Sequence, residues 1–230
     1  MSERYAIYLT PAEETPLERF ARSWLGRSAF GGEVDERIEV PGIAPDEFDR
    51  LTASPRRYGF HATMKAPFRL ANERTEADLF AAAETFAASR RRFQAPPLTV
   101  RPLSGFIAFV LSEPSSEMDE LAADCVRDFE PFRAALTDDE VQRRRQSDLS
   151  DRQDAQMLAW GYPYVFEDFR FHMTLTQRLC EPRLSQLLSF LQRTAEPLCR
   201  EPFLVDGIAI YHQPTPDETF TVMARLPFRS

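Results

Sequence analysis

A four-residue pattern, Phe-His-x-Thr, occurs twice in this chain of 230 residues, as Phe60-His61-Ala62-Thr63 and as Phe171-His172-Met173-Thr174. The chain has only three histidines, so two of them stand in the repeated string. Each copy opens the same predicted run of strand, helix, strand and strand, beginning at Arg57 and again at Phe169. A supersecondary unit that recurs within one chain constrains the fold to two similar lobes facing each other.

Side chains alternate across a strand, so residues two apart share a face. In the first copy this puts His61, Thr63 and Lys65 on one face, and Phe60, Ala62, Met64 and Ala66 on the other. In the second, Arg170, His172, Thr174 and Thr176 oppose Phe169, Phe171, Met173 and Leu175. Each strand thus buries an apolar face and presents a histidine and a threonine, flanked by cations, on the opposite one. Lys65 is the only lysine among 28 basic residues.

The remaining pattern predicts α+β architecture. Arg4 to Thr10 reads as a strand. Thr15-Pro16 reads as a helix cap with proline at the first helical position, opening a helix to about Leu25. A short helix is expected over Pro45 to Leu51, and strands over Arg57–Phe68 and Phe169–Arg178. Thr75-x-x-Asp78 starts a helix whose apolar stripe includes Leu79, Ala83 and Phe86. Leu98–Leu103 and Phe106–Leu111 are strands joined at Ser104-Gly105. A helix opens at Pro182, and strands close the chain over Phe203–Tyr211 and Thr219–Leu226. Residues 113–160 read as a helical, charged insert between halves 1–112 and 161–230 of one bilobal domain. Within it the stretch Thr137–Asp154 is expected to be a solvated helix and linker rather than a substrate lid.

Composition narrows the chemistry. The net charge of −8 disfavours broad nucleic-acid binding by counterion release, but not a small anion held by a local basic site. Neither G-x-x-x-x-G-K nor G-x-G-x-x-G occurs. Three scattered cysteines without a C-x-x-C, and no apolar run of membrane-spanning length, are read as a cytoplasmic protein with no disulfide framework, no membrane partner and no metal or other cofactor. His212 lacks the repeated string and is expected to be structural or solvated.

Two histidines on facing strands suit an in-line displacement at phosphorus, where a base takes a proton from the attacking oxygen and an acid gives one to the leaving oxygen. Threonine hydroxyls can hydrogen-bond the non-bridging oxygens. Paired h-H-h-[ST]-h motifs (h apolar), standing here as Phe60-His61-Ala62-Thr63-Met64 and Phe171-His172-Met173-Thr174-Leu175, resemble those of the 2H phosphoesterase superfamily. The longer strings Arg57–Phe68 and Trp160–Thr176 look like its branch associated with phosphonate-utilisation operons. The resemblance implies a bilobal α+β fold, with pseudo-symmetric lobes of antiparallel strands, helices packed outside and a central cleft. It also implies metal-independent hydrolysis of a small cyclic phosphodiester of the 2′,3′-cyclic nucleotide or ribose cyclic phosphate type. The expected roles are His61 and His172 as acid–base pair and Thr63 and Thr174 as phosphate binders, with Lys65, Arg170 and Thr176 as further candidate substrate contacts. Rival readings are an RNA-end cyclic phosphodiesterase or 2′-5′ RNA ligase-like enzyme, and a non-catalytic nucleotide-binding module. The oligomeric state is not readable.

Overall fold

Local signals set most element boundaries in the computed structural model, which describes residues 3–32 and 36–230. The chain opens with β1 (Arg4–Leu9). Helix α1 (Pro16–Leu25) starts where expected, with the Thr15 hydroxyl accepting from the Glu18 N–H, and ends on Gly26 in the left-handed conformation. Helix α2 (Pro45–Tyr58) runs a further seven residues beyond the expected Leu51 end and contains Pro55. Proline has no N–H, so the Leu51 carbonyl loses its helical donor. It accepts instead from the Gln177 N–H at 2.9 Å, tying α2 to the segment that carries the second histidine motif.

The first motif strand is β2 (Ala62–Phe68), shorter than expected because Arg57 and Tyr58 finish α2. Helix α3 (Glu76–Ser89) carries the reciprocal Thr75/Asp78 capping box. After β3 (Phe93–Ala95), β4 (Leu98–Leu103) and β5 (Phe106–Leu111) form the expected hairpin. Its turn places Ser104 (φ 49°) and Gly105 (φ 90°) in left-handed conformations, the requirement of a tight two-residue hairpin.

The insert holds three helices, α4 (Ser116–Asp128), α5 (Asp138–Arg144) and α6 (Asp151–Trp160). α4 buries Met118, Leu121, Ala122 and Cys125 and packs on β2, so it belongs to the core. α5 buries nothing. The second motif strand, β6, is only Met173–Thr174 rather than Phe169–Arg178. Helix α7 (Arg183–Thr194) follows, then β7 (Phe203–Val205), β8 (Gly207–Gln213) and β9 (Thr221–Pro227). The single strand expected over Phe203–Tyr211 is divided at Asp206, because β7 pairs with β3 while β8 pairs with β1.

The architecture is α+β with antiparallel pairing in every sheet. A four-stranded sheet has the order β2-β1-β8-β9, a three-stranded one β4-β5-β6, and β3 pairs with β7 alone. Both motif strands are edge strands, and β2 and β6 lie against each other where the two larger sheets meet. One apolar core runs under both sheets, joining Tyr5, Ile7 and Ile210 to Val100, Phe109 and Met173. Among the described residues, no helix is long and apolar enough to cross a membrane.

Candidate active site

His61 stands one residue before β2 and His172 one residue before β6, so each imidazole sits at the mouth of an edge strand. The two are held alike. His61 Nδ1 is 2.9 Å from the Gly59 carbonyl, and His172 Nδ1 is 2.8 Å from the Arg170 carbonyl. A carbonyl oxygen only accepts, so in both rings Nδ1 carries the hydrogen and Nε2 is left to take or give a proton. The Thr63 hydroxyl lies 3.3 Å from His61 Nε2. The neighbouring strand of each sheet adds an aromatic ring. Tyr8 of β1 stacks on His61 at 3.6 Å and 14°, and Phe106 of β5 meets His172 at 5.7 Å.

The histidines open into two adjoining cavities. The first, about 440 Å³, is lined by His61, Thr63, Thr174, Tyr58, Arg4 and Arg144 among others. The second, about 320 Å³, is lined by His172, Arg170, Arg178, Ser104 and Phe106 among others. Thr63, Tyr162 and Tyr164 border both. The expected linker contributes too, since Arg144, Ser147 and Leu149 form part of the first wall. Burial pushes the His61 imidazolium down to about 4, and the nearby His172 lowers it further against the opposing pull of the Gly59 carbonyl. Burial likewise lowers His172, against the Arg170 carbonyl. Both rings are therefore neutral in the empty site near pH 7.

Of the residues expected at the site, the structure brings His61, His172, Thr63, Thr174 and Arg170 to these cavities. It takes Lys65 and Thr176 away. In the β1–β2 ladder Tyr8 faces Thr63 and Ile7 faces Lys65, so one step on β1 matches two on β2. This bulge breaks the alternation and turns Lys65 into the protein. Its side chain is 3% exposed and its ammonium donates to the Glu130 carboxylate at 2.8 Å and the Val126 carbonyl at 2.9 Å. Thr176 lies beyond the two-residue β6, fully buried, with its hydroxyl accepting from the Ile107 N–H at 3.0 Å. Lys65→Met should lower the unfolding free energy by about 2 kcal/mol, the scale of a buried charge-assisted hydrogen bond whose partner keeps a second cation, Arg133. Thermal denaturation checks this, with a drop of about 4–8 °C expected for a chain of this size.

His212, as expected, is outside the cavities: its ring stacks on Tyr5 and its Nε2 meets the Glu3 carboxylate at 2.9 Å. Sequence reasoning missed Tyr8, Arg4 and Arg144. None carries a motif, and each reaches the site through strand pairing or through the packing of the insert. Among the described residues no group of three or more His, Cys, Asp or Glu side chains could hold a metal ion.

A half-buried histidine pair, each ring held through Nδ1 by a backbone carbonyl, thus stands at two adjoining cavities of an antiparallel α+β scaffold. The chain belongs to the family described as "Protein of unknown function (DUF1045)", whose model matches residues 63–221. Curated relatives are two proteins named "Ribose 1,5-bisphosphate phosphokinase PhnN". The one from Janthinobacterium sp. (strain Marseille) is 38% identical over 98% of this chain and 51% of its own length. The one from Laribacter hongkongensis (strain HLHK9) is 33% identical over 94% and 50%. The chain thus spans about half the length of the curated relatives it matches. Among solved structures, E. coli LigT complexed with 3′-AMP is 12% identical, with TM-score 0.47 over 100% of both chains. A phosphoesterase of known structure is 12% identical, with TM-score 0.41 over 99% of both. A conserved protein of unknown function from Agrobacterium tumefaciens str. C58 is 13% identical, with TM-score 0.45 over 98% of this chain and 86% of the other.

Proposed function

We propose that this protein is a phosphoesterase that hydrolyses a small cyclic phosphodiester by acid–base catalysis at His61 and His172. The observation that carries the reading is the matched contact of each Nδ1 with a backbone carbonyl. Each imidazole spends its Nδ1–H on a backbone carbonyl and keeps Nε2 for the adjoining cavities. One Nε2 takes a proton from water as the water oxygen bonds to phosphorus. The phosphorus–alkoxide bond breaks, and the other Nε2, protonated beforehand, gives its proton to the leaving oxygen. Thr63 and Thr174 hydroxyls donate to the non-bridging oxygens, where negative charge must be held in the transition state. A bound anion between the rings favours the one imidazolium the cycle needs.

A ribose cyclic phosphate is the substrate type favoured here. Opening its ring leaves a ribose phosphate, the class of compound acted on by a kinase of the relatives' name. No glycine-rich phosphate loop stands in these 230 residues, so phosphorylation itself is not part of the reading. A setting in phosphonate metabolism and a metal-independent reaction follow from the motif resemblance and are proposed with it.

The test is hydrolysis of nucleoside 2′,3′-cyclic phosphates and ribose cyclic phosphates in excess chelator, followed by phosphorus NMR. Turnover is expected to persist with chelator, and its loss would remove the metal-independent mechanism. Binding without turnover would leave a non-catalytic module. The pH dependence has a definite sign. The productive free enzyme holds one neutral and one protonated imidazole. Both groups titrate below the ordinary value of 6.5, so that form peaks on the acid side of it. The optimum of kcat/KM on a 2′,3′-cyclic nucleotide should therefore lie below pH 6.5, and an optimum above about 7 would contradict the pairing.

A further inference from the structure

Half-buried arginines in this protein are paired with carboxylates as a rule. Arg37 and Arg56 share Asp49, Arg69 meets Glu140, Arg133 meets Glu130, and Arg225 meets Asp206. Among the described residues Arg4, Arg27 and Arg144 lack such a partner; Arg27 is spent on the Arg56 and Phe220 carbonyls, whereas Arg4 and Arg144 stand together. Both line the first cavity beside His61. Both also line a small void of about 30 Å³ behind it, which Glu140 borders too, its carboxylate paired with Arg69 at 3.0 Å. Each is held only by neutral oxygens. Arg4 Nε donates to the Gln213 side-chain oxygen at 2.9 Å and its guanidinium lies over the Phe220 ring, while Arg144 Nη1 donates to the Gly161 carbonyl. The lining of the first cavity includes no Asp or Glu, on a chain whose net charge is −8. Withdrawing a cation from water without a counter-charge is unfavourable, and proteins keep such arrangements where a ligand supplies the missing charge. The remaining N–H groups of two guanidinium forks suit the oxygens of a phosphate.

We propose that Arg4 and Arg144 form a second anion subsite, which takes a phosphomonoester carried by the same molecule whose cyclic phosphodiester lies between the histidines. The inference rests on the phosphoesterase reading and narrows it. The substrate class becomes a sugar phosphate that also bears a cyclic diester, and the product a sugar bisphosphate. A class of reaction that forms a cyclic phosphate on an already phosphorylated sugar must supply it.

Two measurements separate this proposal from the reading it rests on. Calorimetric titration with ribose 5-phosphate should show binding that weakens about tenfold or more in Arg4→Gln and in Arg144→Gln, as expected for losing one charge-assisted pair. In turnover, adenosine 2′,3′-cyclic phosphate is compared with its 5′-phosphorylated form and with a dinucleotide ending in a 2′,3′-cyclic phosphate. Wild type is expected to favour the 5′-phosphorylated nucleotide by about tenfold or more in kcat/KM. That ratio should fall towards one in the glutamine variants and be partly kept in Arg4→Lys and Arg144→Lys. Melting curves identify any variant that fails to fold, in which case the lysine pair carries the test. Equal kcat/KM with and without the 5′-phosphate, in a wild type that turns over both, would overturn the subsite and leave the phosphoesterase standing. Binding of ribose 5-phosphate through the arginines with no hydrolysis of any cyclic ester would do the reverse. Preference for the dinucleotide over the 5′-phosphorylated mononucleotide would overturn the subsite in favour of an RNA-end substrate.

Discussion

Replacing either His61 or His172 with alanine is expected to lower kcat on a cyclic phosphodiester by at least about a hundredfold, the ordinary size of an acid–base contribution. The reasoning is geometric. Each ring is fixed by one backbone carbonyl through Nδ1, which leaves Nε2 for proton transfer at the adjoining cavities, with the Thr63 hydroxyl beside that of His61. Acid and base serve one transition state, so the double variant should fall little below the poorer single one. Steady-state kinetics on the three variants checks both statements. Two independent losses that multiply, or retention of wild-type turnover by either single variant, would show that the rings do not act as a pair. Both side chains are half-buried, so the variants should remain folded by thermal denaturation.

The second large effect is expected at Gly59, which connects α2 to the first motif. Its backbone has φ 78° and ψ 171°, a conformation essentially confined to glycine. A Cβ there would meet the Cβ of Ala29 at 2.7 Å. Its carbonyl is also the anchor of His61 Nδ1. Gly59→Ala should therefore cost about 2–5 kcal/mol in stability, from backbone strain plus overpacking. It should also lower kcat/KM by about ten- to a hundredfold as the imidazole moves, since a displacement of about 1 Å at a reacting group is enough. Gly31→Ala is the control. It too has positive φ (91°), but among the described residues nothing lies within 4 Å of the added methyl. It should lose about 1 kcal/mol and no activity. Denaturation midpoints and kcat/KM on both variants decide it, and equal losses at the two glycines would remove the special role of Gly59.

Where the covalent sequence speaks locally, the reading and the structure agree. Thr15-Pro16 and Thr75-x-x-Asp78 cap helices because a side-chain oxygen reaches N–H groups three residues away, with no help from the rest of the fold. Ser104-Gly105 makes the hairpin because Gly105 takes the left-handed backbone of the turn without steric cost and Ser104, with no β-branch, accompanies it. The repeated Phe-His-x-Thr string places two imidazoles before two edge strands for the same kind of reason. Its i and i+2 positions share a face, and the carbonyl two residues back is within reach of Nδ1. Disagreement begins where pairing partners set the outcome. Alternation put Lys65 beside Thr63, but the bulge opposite Ile7 and Tyr8 belongs to the β1–β2 ladder and turns the lysine towards Glu130. Strand pattern extended the second motif to Arg178. Its ladder stops at Thr174, and the chain is then held by the Ile107 carbonyl, the Leu51 carbonyl and the indole N–H of Trp24 on the Leu175 carbonyl.

The placement of the histidine pair was thus written into the chain, since a histidine's nearest backbone carbonyl and its threonine neighbour travel with it. What surrounds the pair was not. Tyr8 reaches His61 through antiparallel pairing, Arg4 arrives on the same strand, and Arg144 is delivered by an insert that looked merely solvated. These contacts join residues far apart in the chain, and only tertiary packing brings them together. Proximity within a strand is a matter of bond geometry, whereas the cations that stand beside His61 are brought there by pairing and packing between distant segments.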